Sequence, residues 1–432
     1  TNRDDSPYKI VGIIGLKLKS INRRIHGIPI VSIVNDLSKM LEDIKKSKIS
    51  AQRIIIADHS LSKENIESLF ILAKKTGLAI GELPKITDFK LDSSDSFKTT
   101  PIVIEDVLGR KQRVHDTNNI KNIKDKIVLI TGAGGSIGGE LSKQLLDLDP
   151  KKIILFEQNE YLLYKISEKI KNLNIFPVIG DVRDKKKLEK VIIQEKPDII
   201  FHSAALKHIT FVESDPLEAI MTNFLGTVNI CELSEKNNVA QMIFISSDKA
   251  VNPSNIMGAT KRLCEKYIQT FSITSKTNFK IVRFGNVLGS TGSVIPLFQK
   301  QIQSGGPITV TNPNVSRYFM TIREAVELVI IASSKNQANG TINILEMGKP
   351  IKIKDLAIKM VKLSGEKIEN IKIKYTGLRE AEKLHEELFY KNEIFLKNNN
   401  QSILETKSKV FPITKLQIKN FINITFSTTE KE

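Results

Sequence analysis

The chain of 432 residues has no tryptophan, only two cysteines and 6% aromatic residues. Cys231 and Cys264 are far apart, each in a segment that reads as helix. That excludes a disulfide-stapled scaffold and points to a reducing compartment. No uninterrupted apolar run approaches the roughly 20 residues needed to span a bilayer, and no stretch reads as a signal peptide. The six histidines (His26, His59, His115, His202, His208 and His385) show no H-x-x-x-H or Cys/His spacing, so no metal site is expected. The shortage of aromatics also bears on the net charge of +17. The lysines are scattered without an aromatic-rich basic stripe, which argues against nucleic acid as a partner. An anionic membrane face or a diphosphate ligand remains as a partner for that charge. What is present, 41% hydrophobic and 26% charged residues, is a globular composition long enough for two or three domains.

Residues 1–90 alternate strand and helix patterns. "KIVGIIG", "RIIIAD" and "LAIGELP" read as strands, and "VNDLSKMLEDIKKSK" and "KENIESLFILAKKTG" as amphipathic helices. This predicts a Rossmann-like domain, although its first turn lacks a full glycine fingerprint. Residues 91–125, polar and turn-rich at "LDSSDSFKTT", read as a linker and connector. Residues 126–432 open on "DKIVLITGAGGSIGGELSKQLL", a buried strand, a glycine turn and an amphipathic helix. The expected fold class is therefore α/β, a doubly wound parallel sheet with a smaller C-terminal substrate region, preceded by a second Rossmann-like domain.

Gly132, Gly135 and Gly138 have the T-G-x-x-G-x-x-G spacing of a dinucleotide turn, with Ser136 and Ile137 opening the helix. The first glycine permits the turn, the second lets backbone approach a pyrophosphate, and the third lets helix and strand pack closely. The helix N-terminus offers N–H groups to phosphate. Glu157 ends the second strand, where an acid binds ribose hydroxyls and favours NAD over NADP; Lys151 and Lys152 keep NADP as the alternative. Asp181 and Val182 follow a third strand at the place of adenine contact, and Ala204 and Ala205 follow a fourth.

The ordered runs "TGAGGSIG", "GDVRD", "HSAALKH", "ESDPLEAIMTNFLGTVNI", "SSDKAVNPSNIMGATKR", "RFGNVLGSTGSVIPLF", "RYFMTIREAVELV" and "GLREAEKLHEEL" resemble the nucleotide-sugar 4,6-dehydratases of the extended short-chain dehydrogenase superfamily. More narrowly they resemble the large bacterial UDP-N-acetylglucosamine 4,6-dehydratases of capsule, O-antigen and protein-glycosylation pathways, in their Met-x-x-x-Lys variant. The resemblance runs from about Asp125 to the region of Leu388. It implies oxidation of the sugar at C4 by NAD, loss of the C5 proton and the C6 hydroxyl, and return of the hydride to C6. The product would be a UDP-4-keto-6-deoxy-N-acetylhexosamine, with C5 retention as in the Met-bearing members.

By the same resemblance Lys249 is the C5 base and Asp248 the C6 acid, which needs an amine below and a carboxyl above its usual range. The plain alternative is a solvated surface pair. Met257 stands where relatives keep a tyrosine. A thioether carries no proton, so the Ser247–Asp248 pair is expected to take the O4 proton while Met257 packs against sugar or nicotinamide. Lys261, one helical turn on, would bind the nicotinamide ribose. Lys207, His208, Asn223, Arg283, Asn286, Arg317, and Arg379 with Glu382 are the implied substrate residues, although "REAEK" replaces the usual Arg-Pro-Gly-Glu-Lys. A homo-oligomer, dimer or higher, is implied. So is membrane contact at the cytoplasmic face of the bacterial inner membrane, through a segment missing from this chain, which begins at Thr1. Two alternatives stay open, a UDP-sugar 4-epimerase and a catalytically inactive nucleotide-sugar-binding protein.

Overall fold

The computed structural model describes residues 10–16, 23–34, 51, 53–58, 61–76, 78–82, 120–290, 292–364, 368–396 and 402–407, with single positions at 417 and 420. They fall into two compact units. One is drawn from 1–115, 292–314 and 352–377, the other from 116–291, 315–351 and 378–432.

In the first unit, strand Ile13–Gly15 pairs in parallel with Ile28–Ile33, and Arg53–Ile56 pairs in parallel with Ala79–Glu82. Helix Lys63–Thr76 connects the second pair, and its Leu69 and Leu72 are buried with Val34 and Ile56. A hairpin that the sequence reading passed over joins Arg24–Ile25 to Ile28–Ile33 through His26 (φ 46°) and Gly27 (φ 80°). Two residues at positive φ give the tight turn whose twist matches its strands. The helix expected over "VNDLSKMLEDIKKSK", the residues 91–119 of the expected linker and the connector "PIVIEDVLGRKQRVHD" lie outside the described residues.

The second unit is built on a nine-stranded sheet. Its strands are β1 (Ile127–Thr131), β2 (Lys152–Glu157), β3 (Ile175–Ile179), β4 (Ile199–His202), β5 (Gln241–Ile245), β6 (Asn278–Arg283), β7 (Thr341–Leu345), β8 (Ile394–Leu396) and β9 (Ile403–Lys407). The order is β8-β9-β7-β6-β5-β4-β1-β2-β3. From β3 to β7 every pairing is parallel, and β9 and β8 close the far edge antiparallel. Strand order thus reverses between β1 and β4, the position at which open parallel sheets bind ligands beyond their carboxyl ends.

The strands are apolar on both sides because both faces are covered. Val128, Ile130, Ile153, Leu155, Ile243 and Ile245 face one core, with Leu141 and Leu145 of α1 (Ser136–Leu146) and Val326 and Val329 of α6 (Ile322–Ser334). Leu129, Ile154, Met242 and Phe244 face the other, with α3 (Lys185–Glu195), α4 (Gly226–Lys236) and α5 (Ile256–Phe271). Helix α2 (Glu160–Lys169) adds Leu163 and Ile166 to the first core. Cys231 and Cys264 lie unbridged in the second, where burial pushes the Cys264 thiol up to about 11. No described helix is long and apolar enough to cross a membrane.

Candidate active site

The glycine turn is dictated by close approach. Gly132 sits at φ 66°, and a Cβ there would lie 2.7 Å from the backbone of Ala204, so the β1 and β4 exits can pass only without a side chain. A Cβ on Gly138 would come 2.2 Å from the Gly132 carbonyl oxygen, which is the helix–strand contact the third glycine serves. Gly135 N-caps α1 without a side-chain cap hydrogen bond, and Ser136 and Ile137 open the helix just beyond it. Glu157 is buried and spans the turn: one carboxylate oxygen accepts from Gly134 N–H at 3.1 Å, the other from Asn159 N–H at 3.0 Å. This cradle fits a pyrophosphate and ribose. Asp181 lines an open cleft with Asn159 and Gly180 and pairs with Arg183 at 2.7 Å. Val182 is buried in the core, not at that cleft.

Beneath the loop after β4 runs a buried relay. Thr131 Oγ1 contacts His202 Nδ1 at 2.7 Å, and His202 Nε2 contacts Thr227 Oγ1 at 3.1 Å. Thr227 donates its own hydroxyl to the Asn223 carbonyl, so it accepts from Nε2–H and the imidazole is neutral. Burial, and then the charge of Lys261, depress that ring to about 3. Asn223 itself bonds both backbone groups of Leu206 (2.7 and 3.1 Å) and Thr260 Oγ1 (3.0 Å) from a π-helical turn, Ile220–Leu225. It orders the loop carrying Lys207 and His208, both exposed. Asn223→Ala leaves two backbone groups of Leu206 unpaired; a loss of about 2–3 kcal/mol is expected in denaturant unfolding.

Asp248 and Lys249 lie just beyond the carboxyl end of β5. Asp248 N–H still bonds the Phe284 carbonyl beyond β6, and Asp248–Ala250 form one 3-10 turn capped by Ser247 Oγ. The Asp248 side chain is fully buried and that of Lys249 is 13% exposed. Ser247 Oγ and Lys249 Nζ both donate to Asp248 Oδ1, each at 3.0 Å, and Lys249 Nζ also donates to Asn286 Oδ1 at 3.1 Å. Asp248 Oδ2 has no hydrogen-bond partner among the described residues. Asn286 is held by pairing of Asn286–Leu288 with Phe319–Thr321. Asp248 is thus closed off from solvent and communicates through Ser247 and Lys249, which are both half-buried. Lys261 is buried, donating to the Ile245 carbonyl at 2.8 Å with its ammonium 4.5 Å over the Phe244 ring; burial lowers it to about 8.

A C-terminal strap covers the turn after the pair. Ala381 carbonyl accepts from Ser254, Lys383 donates to Val251 carbonyl, and Tyr390 OH donates to Ala250 carbonyl. Arg317 pairs with Glu382 at 3.1 Å and with the Ser316 and Leu384 carbonyls. Arg379 is exposed and meets Glu382 through its backbone, its N–H donating to the Glu382 carboxylate at 3.2 Å and its carbonyl accepting from Glu382 N–H at 3.1 Å.

Two further expectations, besides Val182, are corrected. Arg283 is fully buried, its guanidinium bonded to Glu265, Glu393 and the Leu388 carbonyl. It is a core ion-pair residue, removed from ligand contact. Met257 is 4% exposed and packs in an apolar cluster with Val212, Ala219, Leu206 and Ile209, so the protein itself fills its surroundings. One residue escaped the sequence reading: Glu386, buried, with Oε1 3.7 Å from Lys249 Nζ. The apolar residue Leu388 nearby and its acidic neighbours Glu382, Glu387 and Glu393 gave no periodic signal that would single it out.

The chain has relatives among known proteins. Residues 128–408 match the family described as polysaccharide biosynthesis protein. The capsular polysaccharide biosynthesis protein CapD of Staphylococcus aureus is 44% identical over 82% of this chain, which spans 60% of CapD's own length. A UDP-N-acetylglucosamine 4,6-dehydratase (inverting) of Campylobacter jejuni is 34% identical over 60% of this chain and 76% of its own. A UDP-glucose 4-epimerase of Rickettsia bellii is 35% identical over 62% and 79%. The X-ray structure of Pen from Bacillus thuringiensis superposes with a TM-score of 0.61 at 35% identity, covering 68% of this chain and 90% of Pen. The matched family spans well over half of the sequence, and the chain belongs to the polysaccharide biosynthesis protein family, with the extended short-chain dehydrogenase fold.

Proposed function

We propose that this chain removes water from a UDP-N-acetylhexosamine across C5 and C6, the sugar being UDP-N-acetylglucosamine and the product its 4-keto-6-deoxy derivative with C5 configuration retained. The observation that carries the reading is the buried Asp248–Lys249 pair, set by Asn286 at the carboxyl end of β5. A 4-epimerase needs a C4 base but no such couple.

Gly132, Gly135, Ser136, Ile137 and Glu157 would hold NAD, whose chemistry is to accept a hydride from C4 and give it back at C6. Ser247 Oγ receives the O4 proton and passes it to Asp248 along the 3.0 Å bond between them. This route dispenses with a tyrosine at position 257. Lys249 as free amine removes the C5 proton, made acidic by the neighbouring ketone. Asp248 returns its proton through Ser247 to the departing C6 hydroxyl, which leaves as water. Lys249 then gives its proton back to C5. Arg317 and Lys207 supply positive charge for the diphosphate. The proposed setting is surface-polysaccharide or glycan synthesis at the cytoplasmic face of the inner membrane, by a protein that forms dimers or larger homo-oligomers.

Incubating the protein with NAD and UDP-N-acetylglucosamine should yield a nucleotide sugar lighter by one water in mass spectrometry. An unchanged mass with a new C4 epimer supports the epimerase that the Rickettsia relative brings to mind. An untouched sugar that still binds supports a non-catalytic nucleotide-sugar protein.

A further inference from the structure

The proposed reaction sets a problem that Asp248 and Lys249 alone do not solve. Lys249 Nζ donates to Asp248 Oδ1 at 3.0 Å, and a lysine enters a reaction at neutral pH as the ammonium. The C5 step needs the amine. The ammonium proton must go somewhere that a closed site can reach.

Glu386 supplies that place. Its side chain is 3% exposed, its Oε1 lies 3.7 Å from Lys249 Nζ, and its Oε2 has no hydrogen-bond partner among the described residues. The groups facing it are Lys249 and Asp248 from the turn after β5, Arg317 with Nε at 3.9 Å, and Lys383 of its own strap. His385 is engaged with Ser316. Burial raises the Glu386 carboxyl above the usual range, Lys249 opposes this, and Asp248 adds to it. An enclosed carboxyl with one unpaired oxygen and a lysine beside it can hold a proton without solvent.

We propose that Glu386 is a third proton-exchanging group of the site, taking the ammonium proton of Lys249 before the C5 step and returning it afterwards. The inference rests on the dehydratase reading. In the transfer one N–H bond of Lys249 breaks and one O–H bond of Glu386 forms, leaving a neutral amine and a neutral acid. Lys249 then takes and gives back the C5 proton, and Glu386–H restores the ammonium. The O4 proton still leaves in water by way of Asp248, so every proton is accounted for. Glu386 acts through Lys249 and is a positioning residue in that sense.

Because the proton stays inside the pair, the fraction of free amine is independent of pH across the neutral range. In Glu386→Gln the proton must instead be lost to solvent. The test follows exchange of the C5 proton and reduction of the cofactor at C4 in single turnovers with UDP-N-acetylglucosamine, from about pH 6 to pH 9. For Glu386→Gln, exchange at about pH 7 should fall by about 100-fold. It should climb close to tenfold per pH unit and recover at the alkaline end, while C4 oxidation stays within about threefold. Glu386→Asp should regain most of the flat profile. A loss uniform across pH, or equal loss of C4 oxidation, or no loss, overturns the proposal while the wild type still dehydrates. A wild type that releases no water brings down the underlying reading instead, and the proposal with it.

Discussion

Asp248→Asn should lower water release from UDP-N-acetylglucosamine by about 10³-fold, within the span usual for losing a positioned general acid, and leave binding of NAD and UDP within a few-fold. The amide keeps the shape of the carboxylate, and its oxygen can still accept from Ser247 Oγ and Lys249 Nζ, which both meet Oδ1 in the wild type. What it cannot do is receive the O4 proton and deliver it to O6. Asp248 Oδ2 is buried without a hydrogen-bond partner among the described residues, so an amide nitrogen placed there lacks an acceptor and the variant should lose about 1–3 kcal/mol of stability while still folding. Single-turnover product analysis, paired with calorimetric binding of UDP and NAD, separates the outcomes. Undiminished water release would remove Asp248 from the chemistry. Loss of all binding would make it a structural residue.

Arg283→Met should have the largest effect on stability, about 3–5 kcal/mol, the usual cost of removing one partner from a buried ion pair. Arg283, Glu265 and Glu393 have side chains that are all fully buried. The guanidinium bonds Glu265 at 2.8 and 3.0 Å and Glu393 twice at 3.1 Å. Burial opposes ionisation of Glu265, but Arg283, then Arg262 and Ser246, outweigh it and hold the carboxyl below its usual range. A folded carboxyl held below its unfolded value contributes stability at neutral pH and loses it as the pH falls through the folded value. The wild type should therefore weaken in acid through this group, and Arg283→Met should lose that part of the acid dependence. Adding Glu265→Gln and Glu393→Gln should recover part of the deficit, because the stranded charges are then gone. Denaturant midpoints at neutral and acid pH read both effects. The cluster also ties β6 to the strap at Leu388 and Glu393, so loosening it should disturb Glu386 as well.

The sheet and the cofactor turn were legible because their signals are local. A buried strand, three glycines at fixed spacing and an amphipathic helix must fold as they do, and the alternation of strands and helices sets a parallel sheet. The placement of Asp248 and Lys249 was legible for a similar reason, because they follow an apolar strand, Gln241–Ile245, within a few residues, while the roles proposed for them come from the family resemblance. Arg283 was misread because its sequence neighbours, Val282 and Phe284, say only that a strand ends there. The carboxylates that make it a core residue come from Glu265 and Glu393, one of them 110 positions away. Met257 shares a helical face with Lys261, as spacing requires, yet what it touches, Val212 and Ala219, comes from another segment. Glu386 is the extreme case. It sits in an irregular strap with no period to read, and only the fold brings its carboxyl beside Lys249 and Arg317.

The most direct test of the Asp248–Lys249 assignment is a proton NMR spectrum of UDP-N-acetylglucosamine turned over by this protein in deuterium oxide. The expected result is a new C6 methyl signal together with deuterium at C5, the position from which Lys249 removes and restores a proton. A hexosamine that keeps its C6 hydroxymethyl group and its C5 proton, whether epimerised at C4 or untouched, would contradict it.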